Sequence, residues 1–442
     1  MAIGSPIDQA LTFAEASDHE AALRYAAPLL ELEPASAMRL LLSAWMLGAL
    51  GDQETAKRGL EVAVERAVDA GNLPLSVAAA RKLREFGGAD AASLSLIAES
   101  FAKGSRRLLD KRGAPPNLPG TSPDFSPWPD SVTGTVLLER AARSVTSSVS
   151  AFTASRAENA APKLSPQALF SSLDEAGLHA MIEILDVRVV ARGKVLVAEG
   201  STGDEAFFVA RGELDVQKAA AKPGAAPIAL ARLGSGALFG EMALLSRSPR
   251  TATVVASVPS VLLVAKKADL DQVVGKAPSV GREFAEFCRR RMLENLMRSN
   301  FILRAASPAE RPALIERFSV RTFETGEKIV AQGSQPEGLH LIALGEVAIV
   351  HQETADSTIV ARLGPGEVVG EVALVLRRPA IADVVAHHPT VTLFLARERL
   401  MDLVKAHPKV FVDLYELAVK RDEETSHMAA EEATETDDFV IV

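Results

Sequence analysis

The residues best placed to do chemistry lie in FGEMALLSRSPRTATVVA, Phe239 to Ala256. Arg250 carries a planar guanidinium whose N–H groups form a fork matched to anionic oxygens. Backbone N–H groups near Met242 and Ala243, at a tight turn or the start of a short helix, would add donors for the same anion. Gly240, lacking a Cβ, lets the backbone approach a ligand closely. Glu241 supplies an acceptor beside these donors, and Thr251 adds a hydroxyl directly after the arginine. Taken singly, Arg250 is an ordinary surface arginine and Glu241 a solvated carboxylate. Set in one short frame, they form a candidate site for a compact anion.

A second stretch, VGEVALVLRRPAIADVVA from Val369 to Ala386, repeats the frame with a difference. Gly370, Glu371 and Ala373 persist, but Ala380 stands where Arg250 would be and Ile381 where Thr251 would be. Alkyl groups cannot pair with an anion, and losing such a charge-assisted contact costs several kcal/mol. Arg377 and Arg378 lie just upstream and would have to bend back to substitute. Anion binding is therefore expected of the first copy only.

The elements around both stretches recur in the same order. After a helix-like SPQALFSSLDEAGLHAMIEIL come short alternating runs, DVRVVARG, KVLVAEGS, EAFFVARG, ELDVQKA, APIALARLGSG, TATVVASV and SVLLVAKK. SPAERPALIERF, SVRTFETG, EKIVAQGS, EGLHLIALG, EVAIVHQ, STIVARLGPG, AIADVVAHH and TVTLFLAR follow the same plan. Gly193, Gly200 and Gly212 match Gly326, Gly333 and Gly345 at an offset of 133, and Glu241 matches Glu371 at 130. A longer loop at Ala219 to Ala226 in the first copy accounts for the change. An internal duplication is the simplest origin. Many short strands between glycine turns predict a closed or nearly closed antiparallel barrel in each copy. Each ends in a helix, from Gly281 to Ser299 and again in KVFVDLYELAVKRDEE.

The stretch from Phe239 to Ala256 resembles the phosphate-binding cassette of the cyclic-nucleotide-binding domain family, found in catabolite-activator transcription factors, cyclic-nucleotide-dependent kinases and cyclic-nucleotide-gated channels. The Gly-Glu start, the apolar middle and the Pro-Arg-Thr-Ala ending carry the resemblance, which extends from about Ser165 to His407. It implies that Arg250 and the amides near Met242 and Ala243 hold a cyclic phosphate and that Glu241 takes the ribose 2'-hydroxyl. Thr251 would bias base choice toward cyclic GMP or dual recognition without deciding between cAMP and cGMP, provided its hydroxyl is buried. The resemblance also implies that the helix from Gly281 to Ser299 moves over the pocket on binding. The tandem arrangement is similar to the regulatory subunits of cyclic-AMP-dependent kinase. It departs from them in that the Pro-rich linker lacks an Arg-Arg-x-Ser/Ala inhibitor motif, since Ser105 to Leu109 reads SRRLL and no other linker run supplies it.

The N-terminal part is of another kind. From residue 4 to 110, Ala-, Leu-, Glu- and Arg-rich segments of helix length are punctuated by Pro34, Gly51, Gly71, Gly87 and Gly88. Short joins predict helices stacked as hairpins. Leu47, Gly48, Ala49 and Gly51 ahead of Ala56 and Leu60 resemble tetratricopeptide packing, although the family's period of about 34 residues is not cleanly repeated. The array reads either as a protein-docking surface or as a structural cap. Prolines 115, 116, 119, 123, 127 and 129 predict an extended linker, which Phe125 and Trp128 would pin to a domain surface. Ser- and Thr-rich sequence beyond it surrounds a short helix at Val136 to Arg143. The last residues, from Glu423, are acidic and read as a flexible tail or a docking segment.

The expected fold is multidomain α+β: an all-α helical-hairpin array (1–111), a Pro/Ser-rich linker (112–160), two jelly-roll-like β-barrels with flanking helices (161–299 and 300–420) and an acidic tail (421–442). With 442 residues, 48% hydrophobic and 24% charged, the chain can bury a core in each. A net charge of -9 argues against a nucleic-acid partner, and about 20 residues after Lys420 leave no room for a helix-turn-helix of roughly 70 residues. No run approaches the roughly 18 apolar residues of a membrane span, and the start shows no secretory leader, so a cytoplasmic location is expected. The single cysteine, Cys288, reads as a passive helix residue. His179, His340, His387 and His388 fall into no catalytic or metal-ligand spacing, and no Walker loop or kinase signature is present. The chain is therefore expected to be no enzyme and to need no cofactor: a sensor of a cyclic mononucleotide acting on a protein partner through the helical domain, with homo-oligomerisation open. The alternative is a scaffold whose barrels no longer bind nucleotide.

Overall fold

The computed structural model describes residues 5–88, 90–110, 125–156, 161–219, 226–246, 249–307, 309–352 and 357–437. The chain divides into two compact units, one of Met1–Leu244 with Ala252–Phe287 and the other of Leu245–Thr251 with Cys288–Val442.

The first unit opens with α1 (Pro6–Glu15), α2 (His19–Leu32), α3 (Ala37–Ala49), α4 (Gln53–Asp69), α5 (Leu73–Glu85) and α6 (Ala91–Phe101). Their starts are set by side-chain caps: Asp18, Ser36, Asp52 and Asn72 accept from the amides of Ala21, Arg39, Thr55 and Leu75. Consecutive helices are neighbours, and Leu23, Leu40, Leu60, Val64 and Leu83 are wholly buried among them.

One 23-residue helix, α7 (Gly134–Arg156), replaces the short helix expected at Val136 to Arg143. Its Ser and Thr content hid it, because these residues have weak helix propensity. Here their hydroxyls are put to use. Ser144 donates to Glu31 at 2.7 Å, and Ser148 donates to the Pro34 carbonyl at 2.7 Å and accepts from Arg66 at 2.8 Å. Leu137, Ala141 and Val145 are buried on the same helix, which packs on α2, α3 and α4. Just before it, the Trp128 amide bonds the Arg24 carbonyl, Arg140 covers the Trp128 ring at 4.1 Å and Phe125 lies 5.9 Å from Tyr25.

After α8 (Glu175–Glu183) come β1 (Asp186–Val190), β2 (Val195–Val197), β3 (Glu205–Arg211), β4 (Leu214–Lys218), β5 (Ile228–Leu233), β6 (Leu238–Phe239), β7 (Thr253–Ala256) and β8 (Ser260–Lys266). They form two antiparallel sheets, ordered β1-β8-β3-β6 and β2-β7-β4-β5. Phe207, Val209, Leu214, Phe239, Val254 and Leu262 share one core, with the Phe207 and Phe239 rings stacked at 5.0 Å. Helices α9 (Glu241–Ser246), α10 (Lys267–Lys276) and α11 (Pro278–Ser299) complete the repeat. Cys288 is buried on α11.

The helical array packs on the first repeat, α1 against β1 and α5 against β1, β3 and β8. Arg211 of β3 pairs with Asp8 of α1 at 2.6 Å, both side chains 9% exposed, and donates to the Pro259 carbonyl at 2.6 Å. Asn72 donates to the Ala210 carbonyl at 3.2 Å.

The second unit contains α12 (Phe301–Ala305), α13 (Arg311–Ile315), β9 (Ser319–Phe323), β10 (Lys328–Val330), β11 (Gly338–Leu344), β12 (Val347–Gln352), β13 (Ser357–Leu363), β14 (Val368–Val369), α14 (Glu371–Val375), β15 (Asp383–Ala386), β16 (Thr390–Ala396), α15 (Arg397–Ala406) and α16 (Pro408–Asp437). Its sheets, β14-β11-β16-β9 and β10-β15-β12-β13, reproduce the strand order of the first repeat. The acidic stretch from Glu423, expected as a tail, begins as the continuation of α16.

The expected jelly-roll-like β-barrels are not what forms. Among the described residues there are four separate four-stranded sheets, and no ladder joins the outer strands of one sheet of a repeat to those of the other. The strands that would have to close a barrel are too short. β6 and β14 have 2 residues each, and β2 and β10 have 3 with an irregular register against their partners. A two-residue strand satisfies one neighbour and then turns away.

Candidate functional site

In the first repeat the cassette begins where β6 ends at Phe239. Gly240 adopts φ +79, a left-handed conformation that L side chains resist, and α9 starts at the next residue. Glu241 is 3% exposed and Met242 half-buried, while the backbone at Ala243 continues the helix. Arg250 is 8% exposed, so neither charged residue is the solvated surface group that composition alone would give. Thr251 is exposed. Gly240, Glu241, Met242 and Ala243 fall in the first unit, Arg250 and Thr251 in the second.

The second cassette is built on the same turn, with Gly370 at φ +87 and Glu371 opening α14, 2% exposed. A Cβ on Gly370 would stand 3.1 Å from the Gly338 carbonyl oxygen. Beside it lies a cavity of about 330 Å³, walled by aliphatic residues such as Val330, Ile349, Leu363 and Val384 and by Ala380 and Ile381. Arg421, Glu424 and Thr425 of α16 complete the wall. Arg421 donates to Glu371 at 2.6 Å and to the Val368 carbonyl at 2.5 Å. Burial pushes the Glu371 carboxyl above the usual range, and the charge and hydrogen bond of Arg421 oppose that shift. Ala380 bonds through its backbone, its amide to the Ser334 carbonyl at 2.8 Å. Arg378, a potential substitute for the missing arginine, is ion-paired with Asp422. The carboxylate persists, then, but its cation comes from within the fold.

The histidines serve different ends. His340 is 3% exposed, bonded to the Thr392 hydroxyl at 3.0 Å, and its pKa is lowered to about 4 by burial and the nearby charge of Arg321. His387 and His388, which spacing did not mark as ligands, stand with Glu346 so that one donor atom of each lies within 4.8 Å of the others. The proton affinity of His388 is reduced by burial and by the neighbouring His387 and Arg362, against the pull of Glu346. Glu346 belongs to another turn, which is why sequence spacing could not find the group.

A sequence profile described as cyclic nucleotide-binding domain matches residues 187–276 and 320–407, one match in each repeat. The type II regulatory subunit of cAMP-dependent protein kinase from Drosophila melanogaster is 29% identical over 225 residues, 51% of this chain and 56% of that subunit. The regulatory subunit from Dictyostelium discoideum is 30% identical over 250 residues, 53% of this chain and 70% of that protein. This chain belongs to the cyclic nucleotide-binding domain family. Within that family it is homologous to regulatory, not catalytic, subunits, although it spans only 56% of the fly subunit's length. A solved regulatory domain of Toxoplasma gondii PKA, crystallised with cAMP, is 26% identical and covers 58% of this chain and 92% of its own, at a TM-score of 0.27. Among the described residues no helix is long and apolar enough to cross a membrane.

Proposed function

We propose that the first repeat binds a cyclic purine mononucleotide, cAMP or cGMP, and that the bound nucleotide regulates a protein partner without catalysis by this chain. Arg250 takes the cyclic phosphate, the amides of Met242 and Ala243 are further donors suited to it, and Gly240 lets the backbone approach closely. Glu241 accepts the ribose 2'-hydroxyl. Thr251, directly after the arginine, biases base choice without deciding between cAMP and cGMP.

The observation that carries this reading is the contrast between the two cassettes of one family member. The first keeps both Glu241 and Arg250, at 3% and 8% exposure, whereas the second keeps the carboxylate and replaces the arginine by Ala380. Burying a charged side chain costs desolvation, which partners within the fold or a bound ligand must offset. The helical array is the natural output surface, because it packs on the sheet of the binding repeat and is tied to it by Asp8 and Arg211. The relatives are regulatory subunits of cAMP-dependent kinase; the partner proposed here is a protein of unassigned identity, since the Pro-rich linker lacks an Arg-Arg-x-Ser/Ala motif.

Equilibrium dialysis of the full chain against labelled cAMP and cGMP tests the reading. One nucleotide per chain is expected, with 2'-deoxy-cAMP at least 10-fold weaker. Absence of binding to either nucleotide at ~1 mM leaves a scaffold.

A further inference from the structure

We propose that Glu346, His387 and His388 form a binding site for a zinc-class divalent transition metal in the second repeat. The two histidines occupy the turn between β15 and β16, and Glu346 the turn between β11 and β12. The Glu346 carbonyl accepts from the His387 amide at 2.8 Å, from the His388 amide at 3.3 Å and from the Thr390 hydroxyl at 3.2 Å. These bonds lock the two turns together, so the ligands converge on a fixed backbone. One donor atom from each side chain lies within 4.8 Å of the others, all three half-buried, and the imidazole rings are 4.7 Å apart at 71°. Donors bound at about 2.1 Å to one tetrahedral ion stand roughly 3.4 Å apart, a contraction that side-chain rotation alone can supply.

The first repeat provides an internal control. Glu213 and Ser257 match Glu346 and His387 in the duplication, Val258 matches His388, and a proline follows in both copies. The Ser257 amide bonds the Glu213 carbonyl at 2.9 Å, as the His387 amide bonds that of Glu346. Arg232 pairs with Glu213 at 3.5 Å, as Arg362 pairs with Glu346 at 3.4 Å. The turn therefore folds without imidazoles, and the two histidines are not there to build it. Arg362 is the cation that would have to yield, and at 50% exposure its ion pair is weak. Two imidazoles and a carboxylate suit zinc, cobalt or nickel and are poor ligands for magnesium or calcium; a fourth position would be left to water.

The test uses the untagged full chain, stripped with a chelator and titrated with zinc chloride against a chromophoric competitor, then with cobalt chloride by visible absorption. H387S/H388V installs the residues that the first repeat already carries in this turn, so the fold is kept. One zinc equivalent is expected in the parent chain, with affinity at least 10-fold weaker in H387S/H388V, an intermediate loss in E346Q, and cobalt d–d bands that vanish with the histidines. Equal zinc binding by parent and H387S/H388V, or no binding by the parent, overturns the proposal. Nucleotide binding by the first repeat is read separately and is unaffected by either result.

Discussion

Arg421 donates to the Glu371 carboxylate at 2.6 Å, so the acidic residue of the second cassette is neutralised by a residue 50 positions further along the same chain. The Glu371 side chain is 3% exposed and that of Arg421 17%. Removing one member of such a pair strands the other charge, whereas replacing both removes the cost of burying them. Arg421→Ala is expected to destabilise the second unit by about 2 to 4 kcal/mol, and Glu371→Gln with Arg421→Met to recover most of it. Urea unfolding of the full chain, read by hydrogen exchange at β14 and α14, distinguishes the two. Equal losses in the single and double variants would mean that the pair is not coupled.

His340 makes the second unit sensitive to acid. Its folded pKa of about 4 lies below the ordinary 6.5, because burial and Arg321 disfavour the charged ring. On acidification the unfolded chain takes up this proton first. The stabilising contribution is complete above pH 6.5 and is lost as pH falls toward 4, by roughly 3 kcal/mol in all. His340→Gln should flatten that part of the stability profile between pH 6.5 and 4 relative to the parent; identical slopes would show that the ring does not titrate on unfolding.

The buried pair of Asp8 and Arg211 couples α1 to β3 within the first unit. Arg211 also donates to the Pro259 carbonyl, so Asp8→Asn leaves the arginine one partner while Arg211→Ala leaves the acid without its cation. Arg211→Ala is expected to cost about 3 kcal/mol or more and Asp8→Asn less. Both should raise hydrogen exchange in α1 and β3 while leaving β11 and β16 unchanged. Exchange confined to α1 would show that the array and the sheet are not coupled through this contact.

What could be read in the sequence was what local chemistry dictates. Glycine turns and the Gly-Glu starts at Gly240 and Gly370 exposed the duplication, because a left-handed turn demands the same residue in both copies. The loss of the arginine at Ala380 was equally plain. Barrel closure was not, since it depends on which non-adjacent strands pair, and the two-residue β6 and β14 fall short of it. Helix α7 was under-read because the hydroxyls of Ser144 and Ser148 find partners on α2 and before α3, which propensity cannot foresee. The burial of Glu241 and Arg250, the pairing of Glu371 with Arg421 and the gathering of Glu346 with two histidines are tertiary facts of the same kind.

If Arg250 of the earlier cassette grips a cyclic phosphate, calorimetric titration of the full chain will register it. With cAMP or cGMP the parent should give one saturable site per chain, Arg250→Lys a site weakened at least 10-fold, and Arg250→Ala no measurable heat at ~1 mM ligand. A parent that releases no heat with either nucleotide, or an Arg250→Ala chain that binds as tightly as the parent, contradicts it.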